Sequence, residues 1–209
     1  MKSYLELQEF SVTWEKDGER AMSAFSPGSF DLCILDVMLP RRDGFSVACE
    51  IRGISPDIPL VFLTAKSLRE DVLKGYSIGA DDYITKPFDT EVLLMKLRAI
   101  LRRGNETGGA QEFEISSYRF SYPTRQLRWP GGETRLSPRE ADLLKLLCTH
   151  LNELMPREKA LLQIWKEDNY FTRRSMDVFM ARIRKLLEHD PSLELISVHG
   201  SGYRLVIHS

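Results

Sequence analysis

Three short segments, each followed by a different charged or polar side chain, constrain the fold of this chain most. In the first, the apolar run Leu32–Leu35 is too short for a helix and leads directly into Asp36, after which Pro40 and Gly44 mark a loop. Such a run predicts a strand that is buried on both faces, as in a parallel sheet. On its own, Asp36 is better explained as a loop cap than as a reactive carboxylate.

Two later segments repeat this pattern. Leu60–Leu63 leads into Thr64, and Asp82–Thr85 leads into Lys86. The carboxyl ends of parallel strands meet at one edge of an open α/β sheet, and such folds place their chemistry there. We therefore expect a carboxylate, a hydroxyl and an ammonium group at three neighbouring strand ends.

Two sequence strings make the pattern specific: Asp-Val-Met-Leu-Pro from Asp36, and Gly-Ala-Asp-Asp-Tyr-Ile-Thr-Lys-Pro-Phe from Gly79. With them, the first half resembles the receiver domain of two-component response regulators, an α/β, flavodoxin-like fold with a parallel sheet. The resemblance assigns roles to five residues: phospho-acceptor Asp36, phosphate-switch residues Thr64, Tyr83 and Lys86, and a structural cis-proline, Pro87.

The chain departs from that family at its start. A receiver begins with a strand that ends in two acidic residues, and a full helix follows that strand. Here Met1–Gln8 already has the pattern of the end of a helix, and Phe10–Trp14 alternates like a strand. In the strand order 2-1-3-4-5 the missing strand lies inside the sheet, and each buried backbone group left unpaired costs about 1–3 kcal/mol. The pattern favours an N-terminally truncated receiver over one repaired in another way.

The missing acidic pair also affects the metal that the resemblance implies. In the family, Mg²⁺ is held by that pair, the phospho-acceptor Asp36 and a main-chain carbonyl, here that of Met38. Because Mg²⁺ prefers octahedral oxygen coordination, we expect Asp36 and Met38 alone to bind it weakly. Phosphorylation of this chain should then be inefficient.

Composition separates the two halves. Residues 1–110 carry 14 Lys and Arg against 17 Asp and Glu, and residues 111–209 carry 15 against 13. The mildly basic second half suggests a domain that binds an anion. We place a receiver at residues 1–103, a flexible linker at 104–111 and a second domain at 112–209.

An odd number of cysteines in apolar patterns predicts reduced core thiols in the cytoplasm, and no apolar run is long enough to span a membrane.

The second half predicts a small antiparallel sheet followed by helices. Trp129–Glu133 has the composition of a hairpin turn, and Ser137 with Glu140 forms a capping box at the start of a helix. Arg157–Trp165 is a second predicted helix, in which Trp165 is interpreted as a core residue. A closing hairpin near the end of the chain takes its turn from Gly200 and Gly202.

A third helix, predicted from about Thr172 to Glu188, separates apolar and basic faces. Its apolar stripe comprises Met176, Phe179, Met180, Ile183 and Leu187. Its basic residues are Arg173, Arg174, Arg182, Arg184 and Lys185. Small residues lie between these cations, a pattern typical of a helix that enters a DNA major groove.

The run from Phe113 resembles the OmpR/PhoB-type effector domain, an α+β winged helix-turn-helix fold. The strings Ser-Pro-Arg-Glu, Arg-Arg-Ser-Met-Asp-Val, Arg-Ile-Arg-Lys-Leu and Gly-Ser-Gly-Tyr-Arg support the resemblance. It implies that Arg174, Arg182 and Arg184 face DNA and that Arg204, on the wing, reaches a minor groove.

These features predict a DNA-binding transcriptional response regulator controlled by phosphorylation of Asp36, and not an enzyme. The resemblance implies double-stranded DNA, a sensor histidine kinase and RNA polymerase as partners, and a homodimer on activation. A second hypothesis is a phosphorylation-independent DNA-binding regulator whose first half serves only in association. A third is an aspartate-nucleophile phosphatase, which needs a second aspartate where Met38 stands and therefore ranks low.

Overall fold

A computed structural model describes residues 1–65, 74–102 and 111–208, which belong to two units, Met1–Arg102 and Arg103–Ser209. Nearly all of the predicted linker lies outside the described residues. So does most of the helix predicted to begin at Ser67, of which residues 74–77 are described as helical.

The first unit is an α/β structure with a parallel sheet, as predicted. Its helices are α1 (Lys2–Leu7), α2 (Gly18–Ala24), α3 (Gly44–Ile54) and α4 (Thr90–Arg102). Its strands are β1 (Cys33–Asp36), β2 (Leu60–Thr64) and β3 (Asp82–Thr85), in the order β1-β2-β3. Because all three strands run in parallel, their carboxyl ends lie at the same edge of the sheet.

Apolar side chains pack on both faces of the sheet, and the central strand β2 is therefore buried along its whole length. Leu60 and Phe62 of β2 pack in one cluster with Val47 of α3. Val61 and Leu63 alternate to the other face and pack in a second cluster, which includes Leu93, Leu97 and Ile100 of α4 and Leu5 of α1. Helices on both faces thus hold the strand ends in place.

Two expectations for the start of the sheet are wrong. Strand β1 is not buried on both faces, since only Leu35 among its residues is buried. Phe10–Trp14 forms no strand. In the described part of the chain no strand pairs with the outer edge of β1, so this segment has no neighbouring ladder to join. Phe10 and Val12 instead pack, half-buried, against the cluster around α4, and Trp14 is exposed.

The described residues of the second unit form two antiparallel sheets and three helices. The first sheet consists of β4 (Glu112–Ile115), β5 (Tyr118–Ser121), β6 (Gln126–Trp129) and β7 (Gly132–Arg135), in that order. The helices are α5 (Pro138–Thr149), α6 (Arg157–Ile164) and α7 (Tyr170–Leu186). The second sheet has the order β8-β10-β9, from β8 (Met155–Pro156), β9 (Leu193–Val198) and β10 (Gly202–Ile207). Helices followed by the β9–β10 hairpin confirm the predicted winged helix-turn-helix.

The helices of this unit begin at side-chain caps. The predicted capping box is present, since Glu140 N–H donates to Ser137 Oγ at 3.4 Å and Ser137 N–H donates to Glu140 Oε2 at 2.8 Å. A second box, formed by Asn169 and Thr172 at the start of α7, was not predicted. The predicted apolar stripe of α7 is buried, and Trp165 is a core residue, as expected.

Only one of the two wing glycines has the predicted role in the turn. Gly200, with φ of 71°, lies in the β9–β10 turn and needs the left-handed conformation that glycine adopts freely. Gly202 is the first residue of β10, where a Cβ atom would be 2.0 Å from the carbonyl oxygen of Met155 on β8. Gly202 therefore permits close approach of two strands and does not form the turn.

No helix in the described ranges has the length and apolar character needed to cross a membrane. All three cysteines are free. Burial raises the pKa of Cys33 to about 11 and that of Cys148 to about 12, so both are protonated, unreactive thiols at neutral pH. The expectation of core thiols is wrong for Cys49, which is exposed on α3.

Candidate phosphorylation site and nucleic-acid interface

The sheet edge brings Asp36 and Lys86 into contact. Asp36 ends β1, and Lys86 directly follows β3, two strands away. The Lys86 ammonium donates a hydrogen bond to Asp36 Oδ2, and Met38 N–H donates to Asp36 Oδ1 at 3.0 Å. The Asp36 and Lys86 side chains are 29% and 38% exposed, so a solvent-borne donor can reach the carboxylate.

Thr64 and Tyr83 lie on the two strands beyond β1. Thr64 ends β2, is fully buried, and its carbonyl oxygen accepts a hydrogen bond from Lys86 N–H at 2.6 Å. Tyr83 on β3 is half-buried, with its ring 6.0 Å from that of Phe62. The peptide bond between Lys86 and Pro87 is cis, as the resemblance implied.

The donor atoms at this edge do not fit Mg²⁺. Both oxygens of Asp36 already accept hydrogen bonds, one of them from a cation. Across the described residues, no group of three or more His, Cys, Asp and Glu side chains is arranged to hold a metal ion. Since Mg²⁺ needs near-octahedral oxygen ligands, one ion-paired carboxylate and the carbonyl of Met38 are an inadequate set.

Helix α7 presents most of its cations to solvent. Its buried stripe packs against the core, and the exposed residues lie on the other side of the helix. The exposed cations are Arg173, Arg174, Arg184 and Lys185. Ala181, also exposed, lies between them, and Val178 is half-buried. The result is a basic surface with small side chains at its centre.

Neighbouring side chains orient two of these arginines. Arg173 donates to both carboxylate oxygens of Asp168, from Nε at 2.6 Å and from a terminal nitrogen at 3.0 Å. This hydrogen bonding lowers the pKa of Asp168. The Arg174 guanidinium lies 5.6 Å from the centre of the Tyr170 ring, within range of a cation–π contact.

Arg182 and Arg184 are held from opposite sides of α7. Arg182 is only 26% exposed, and its guanidinium lies 3.9 Å from Glu140 Oε1 on α5. Arg184 donates to the carbonyl oxygen of Leu195 on β9 at 3.1 and 3.2 Å and to Ser197 Oγ at 3.1 Å. Both of these predicted DNA-facing residues thus also have partners within the unit.

The wing carries Arg204 on its exposed side. Arg204 lies on β10, in register with Ile196 of β9, and its neighbours Tyr203 and Leu205 are buried. Because side chains alternate along a strand, the burial of Tyr203 turns Arg204 outward.

Sequence reasoning missed a polar cluster of Arg157, Asp177 and Tyr203. Arg157 donates to Asp177 Oδ1 and, at 2.7 Å, to the Tyr203 hydroxyl, which itself donates to Asp177 Oδ1 at 2.7 Å. Burial, together with the Asp177 hydrogen bond, raises the pKa of Tyr203 to about 12. The available signal was Asp177 itself, the single acidic residue between Arg173 and Lys185.

Comparisons with known proteins agree with this architecture. Residues 1–98 match the family model of the response regulator receiver domain, and residues 131–205 match that of the transcriptional regulatory protein, C terminal. Over its whole length, a mutant of RitR is structurally similar, with a TM-score of 0.66 at 22% identity, covering 97% of this chain and 90% of that one. At that identity the similarity concerns the fold.

Curated relatives cover nearly the whole chain. The transcriptional regulatory protein RprY of Bacteroides fragilis is 44% identical over 208 residues, which are 99% of this chain and 88% of RprY. The transcriptional regulatory protein YkoG of Bacillus subtilis is 35% identical over 204 residues, 96% of this chain and 90% of YkoG. With a receiver domain followed by a DNA-binding domain, the chain belongs to the OmpR/PhoB-type transcriptional response regulators of two-component systems.

Proposed function

We propose that α7 is the DNA recognition helix and that Arg204 on the wing contacts the adjacent minor groove. The observation that carries this proposal is the exposure of Arg174 and Lys185 on the side of α7 opposite its buried stripe, with exposed Arg173 on a flank of the same surface. Exposed cations attract phosphates, and the small side chain of Ala181 allows the helix backbone to approach base edges.

The proposed DNA contacts are of two types, one to phosphate groups and one to base edges. Lys185 is exposed near the end of α7 and suits a phosphate contact, since an ammonium acts as a point charge. Arg174 and Arg182 carry planar guanidinium groups, which pair with the O6 and N7 atoms of guanine. Helix and wing together would read neighbouring grooves of one half-site.

Binding of the full chain to DNA tests the proposal directly. Duplexes enriched from a random pool by the chain itself supply the probe, and fluorescence anisotropy gives the affinity over a salt series. With about four to six phosphate contacts, the logarithm of affinity should fall with the logarithm of salt at a slope of roughly −4 to −5. A slope near zero would contradict an electrostatic interface.

For the first unit, we propose Asp36 as the phospho-acceptor. The contact between Lys86 and Asp36 supports this role, because the ammonium can move from the carboxylate to an oxygen of the incoming phosphoryl group. A carboxylate oxygen of Asp36 would attack phosphorus while the bond to the histidine kinase's phosphorylated nitrogen breaks. The proposed setting is the cytoplasm, with RNA polymerase as the downstream partner.

A second candidate is control without phosphate, in which the first unit only associates. Among the residues that the structure describes, the inadequate donor set for Mg²⁺ favours it, because phosphoryl transfer depends on metal to neutralise charge. Asp36→Asn separates the candidates. If association alone matters, the variant should dimerise and bind DNA like the unmodified chain both with and without the phosphorylated kinase; if phosphate controls binding, only the unmodified chain should respond.

The proposed dimer surface is the outward side of α4. Val92 and Met95 are exposed there, at 50% and 71%, while Leu93 and Leu97 of the same helix are buried. Lys96 donates to both carboxylate oxygens of Asp82 at 2.9 and 3.2 Å beside this apolar strip. An identical surface on a second copy would cover these side chains, so Met95→Glu should weaken self-association in sedimentation equilibrium.

A further inference from the structure

Three elements of the second unit meet at Asp177. Arg157 begins α6, Asp177 lies in the middle of α7, and Tyr203 follows the first residue of β10. The Tyr203 hydroxyl both donates to Asp177 and accepts from Arg157, at 2.7 Å in each case. Tyr203 is 4% exposed, so this hydroxyl depends on these partners for its hydrogen bonds.

Main-chain contacts reinforce the same junction. Arg157 N–H donates to the carbonyl oxygen of Ser201 at 3.0 Å, one residue before β10 begins. Gly202 lies so close to β8 that no side chain fits there. The first turn of α6 and the base of the wing are therefore in direct contact.

A second connection lies farther along α7. Arg184 donates to Leu195 and Ser197, both on β9. Asp177 and Arg184 are seven residues, or about 10 Å, apart along the helix. Both wing strands are thus tied to α7, β10 through Asp177 and β9 through Arg184.

We infer that Asp177 and Tyr203 are positioning residues that fix the wing arginine, Arg204, relative to the basic face of α7. This inference rests on the DNA interface proposed above. Tyr203 and Arg204 are consecutive on β10, so the anchoring of the Tyr203 ring sets the direction in which Arg204 points.

The charge of Asp177 supports a positioning role. Its side chain is 38% exposed on a helix surface that is otherwise basic, where a carboxylate would repel DNA phosphates. Arg157 neutralises it from one side, and the Tyr203 hydroxyl occupies the same oxygen. An acid at this place disfavours DNA binding by its charge, but it provides the contact that holds the wing.

A double-mutant cycle in the full chain distinguishes positioning from general stabilisation. Tyr203→Phe retains the ring and removes the hydroxyl, and Arg204→Ala removes the wing contact. With enriched duplex DNA as the probe, we expect about fivefold weaker binding for Tyr203→Phe alone. In the Arg204→Ala background the same change should weaken binding by less than about twofold, because the side chain being positioned is gone.

Tyr118→Phe is the matched control. The Tyr118 hydroxyl is also in the second unit, and it donates to the carbonyl oxygen of Leu186, at the end of α7, at 3.0 Å. Any effect of this change should be the same with and without Arg204. Hydroxyl-radical footprinting adds a second readout: Tyr203→Phe should lose protection in the minor groove beside the half-site and keep protection at the major-groove contacts.

Different outcomes test the positioning role of Tyr203 and the proposed wing contact of Arg204. Equal losses for Tyr203→Phe in both Arg204 backgrounds would overturn the positioning role and leave the wing contact standing. Unchanged binding by Arg204→Ala alone would overturn the proposed wing contact and the inference with it.

Discussion

Arg182 of α7 lies 3.9 Å from Glu140, the same residue that completes the capping box of α5. Glu140 is buried, and the Arg182 side chain is only 26% exposed. The carboxylate that satisfies the start of one helix thus also orients a guanidinium on another. An arginine held in this way loses less side-chain freedom when it binds a base.

We predict that Arg182→Ala weakens DNA binding by about 1–3 kcal/mol and relaxes sequence preference at one base pair, because a bidentate base contact carries information. Anisotropy with the enriched duplex and with single-base variants of it measures both effects.

Lys185→Ala is the control for Arg182→Ala, since Lys185 is exposed on the same helix and is assigned to phosphate. It should weaken binding to all duplexes alike and reduce the magnitude of the salt slope by about 1. If Arg182→Ala behaved in the same way as Lys185→Ala, the assignment of Arg182 to base reading would be wrong.

The two wing glycines should respond differently to substitution. In Gly202→Val the new side chain would collide with the backbone of Met155, and we expect a loss of about 3 kcal/mol or more of unfolding free energy. Gly200→Ala meets no neighbouring atom within 4 Å but must hold a positive φ, which costs about 1–2 kcal/mol. Urea unfolding followed by fluorescence compares the two. Equal losses would show that close approach at Gly202 is unimportant.

Sequence patterns predicted the features that depend on local spacing. The parallel sheet follows from the short apolar runs, and the Ser137–Glu140 capping box and the buried stripe of α7 follow from residue periodicity. The functions of Gly200 and Gly202 could not be separated in this way, because one depends on a backbone angle and the other on a strand distant in sequence.

The sequence-based predictions failed where an element or side chain needs a partner that residue spacing along the chain does not reveal. Phe10–Trp14 alternates as a strand should, but no described strand pairs beside it. The contact of Asp177 with Tyr203 joins residues 26 positions apart, and the sequence signals it only as an acid among bases. Arg184, expected to face DNA, also bonds β9 through contacts that helical periodicity does not predict.

Asp190 should make the stability of the second unit depend on pH. It accepts hydrogen bonds from the backbone and hydroxyl groups of Ser117 and Ser192, and these bonds, led by the Ser117 hydroxyl, lower its pKa below the usual value near 3.9. A carboxyl group with a lowered folded-state pKa stabilises the fold above its unfolded pKa, and this contribution is lost as pH falls toward the folded one.

We therefore expect Asp190→Asn to reduce the unfolding free energy by about 1–3 kcal/mol at pH 7, and the difference from the unmodified chain to shrink below pH 4. Urea unfolding monitored at Trp129, which stacks on neighbouring His189, measures it at each pH. A difference that stayed constant from pH 7 to pH 3 would mean that ionisation of Asp190 does not contribute.

The last prediction concerns Asp36. Its ion pair with Lys86 places an acceptor and a cation together, as phosphoryl transfer requires, but the described residues around it offer Mg²⁺ too few oxygen ligands. We predict that the 209-residue chain gains little or no phosphate from acetyl phosphate and Mg²⁺, as measured by intact-mass spectrometry, with Asp36→Ala as the baseline. Asp43 is poorly placed to compensate, because its carboxylate already caps α3 through Phe45 and Ser46. Efficient Mg²⁺-dependent labelling that Asp36→Ala abolishes would show that other groups complete the metal site, and it would contradict the conclusion that the donor atoms there do not fit Mg²⁺.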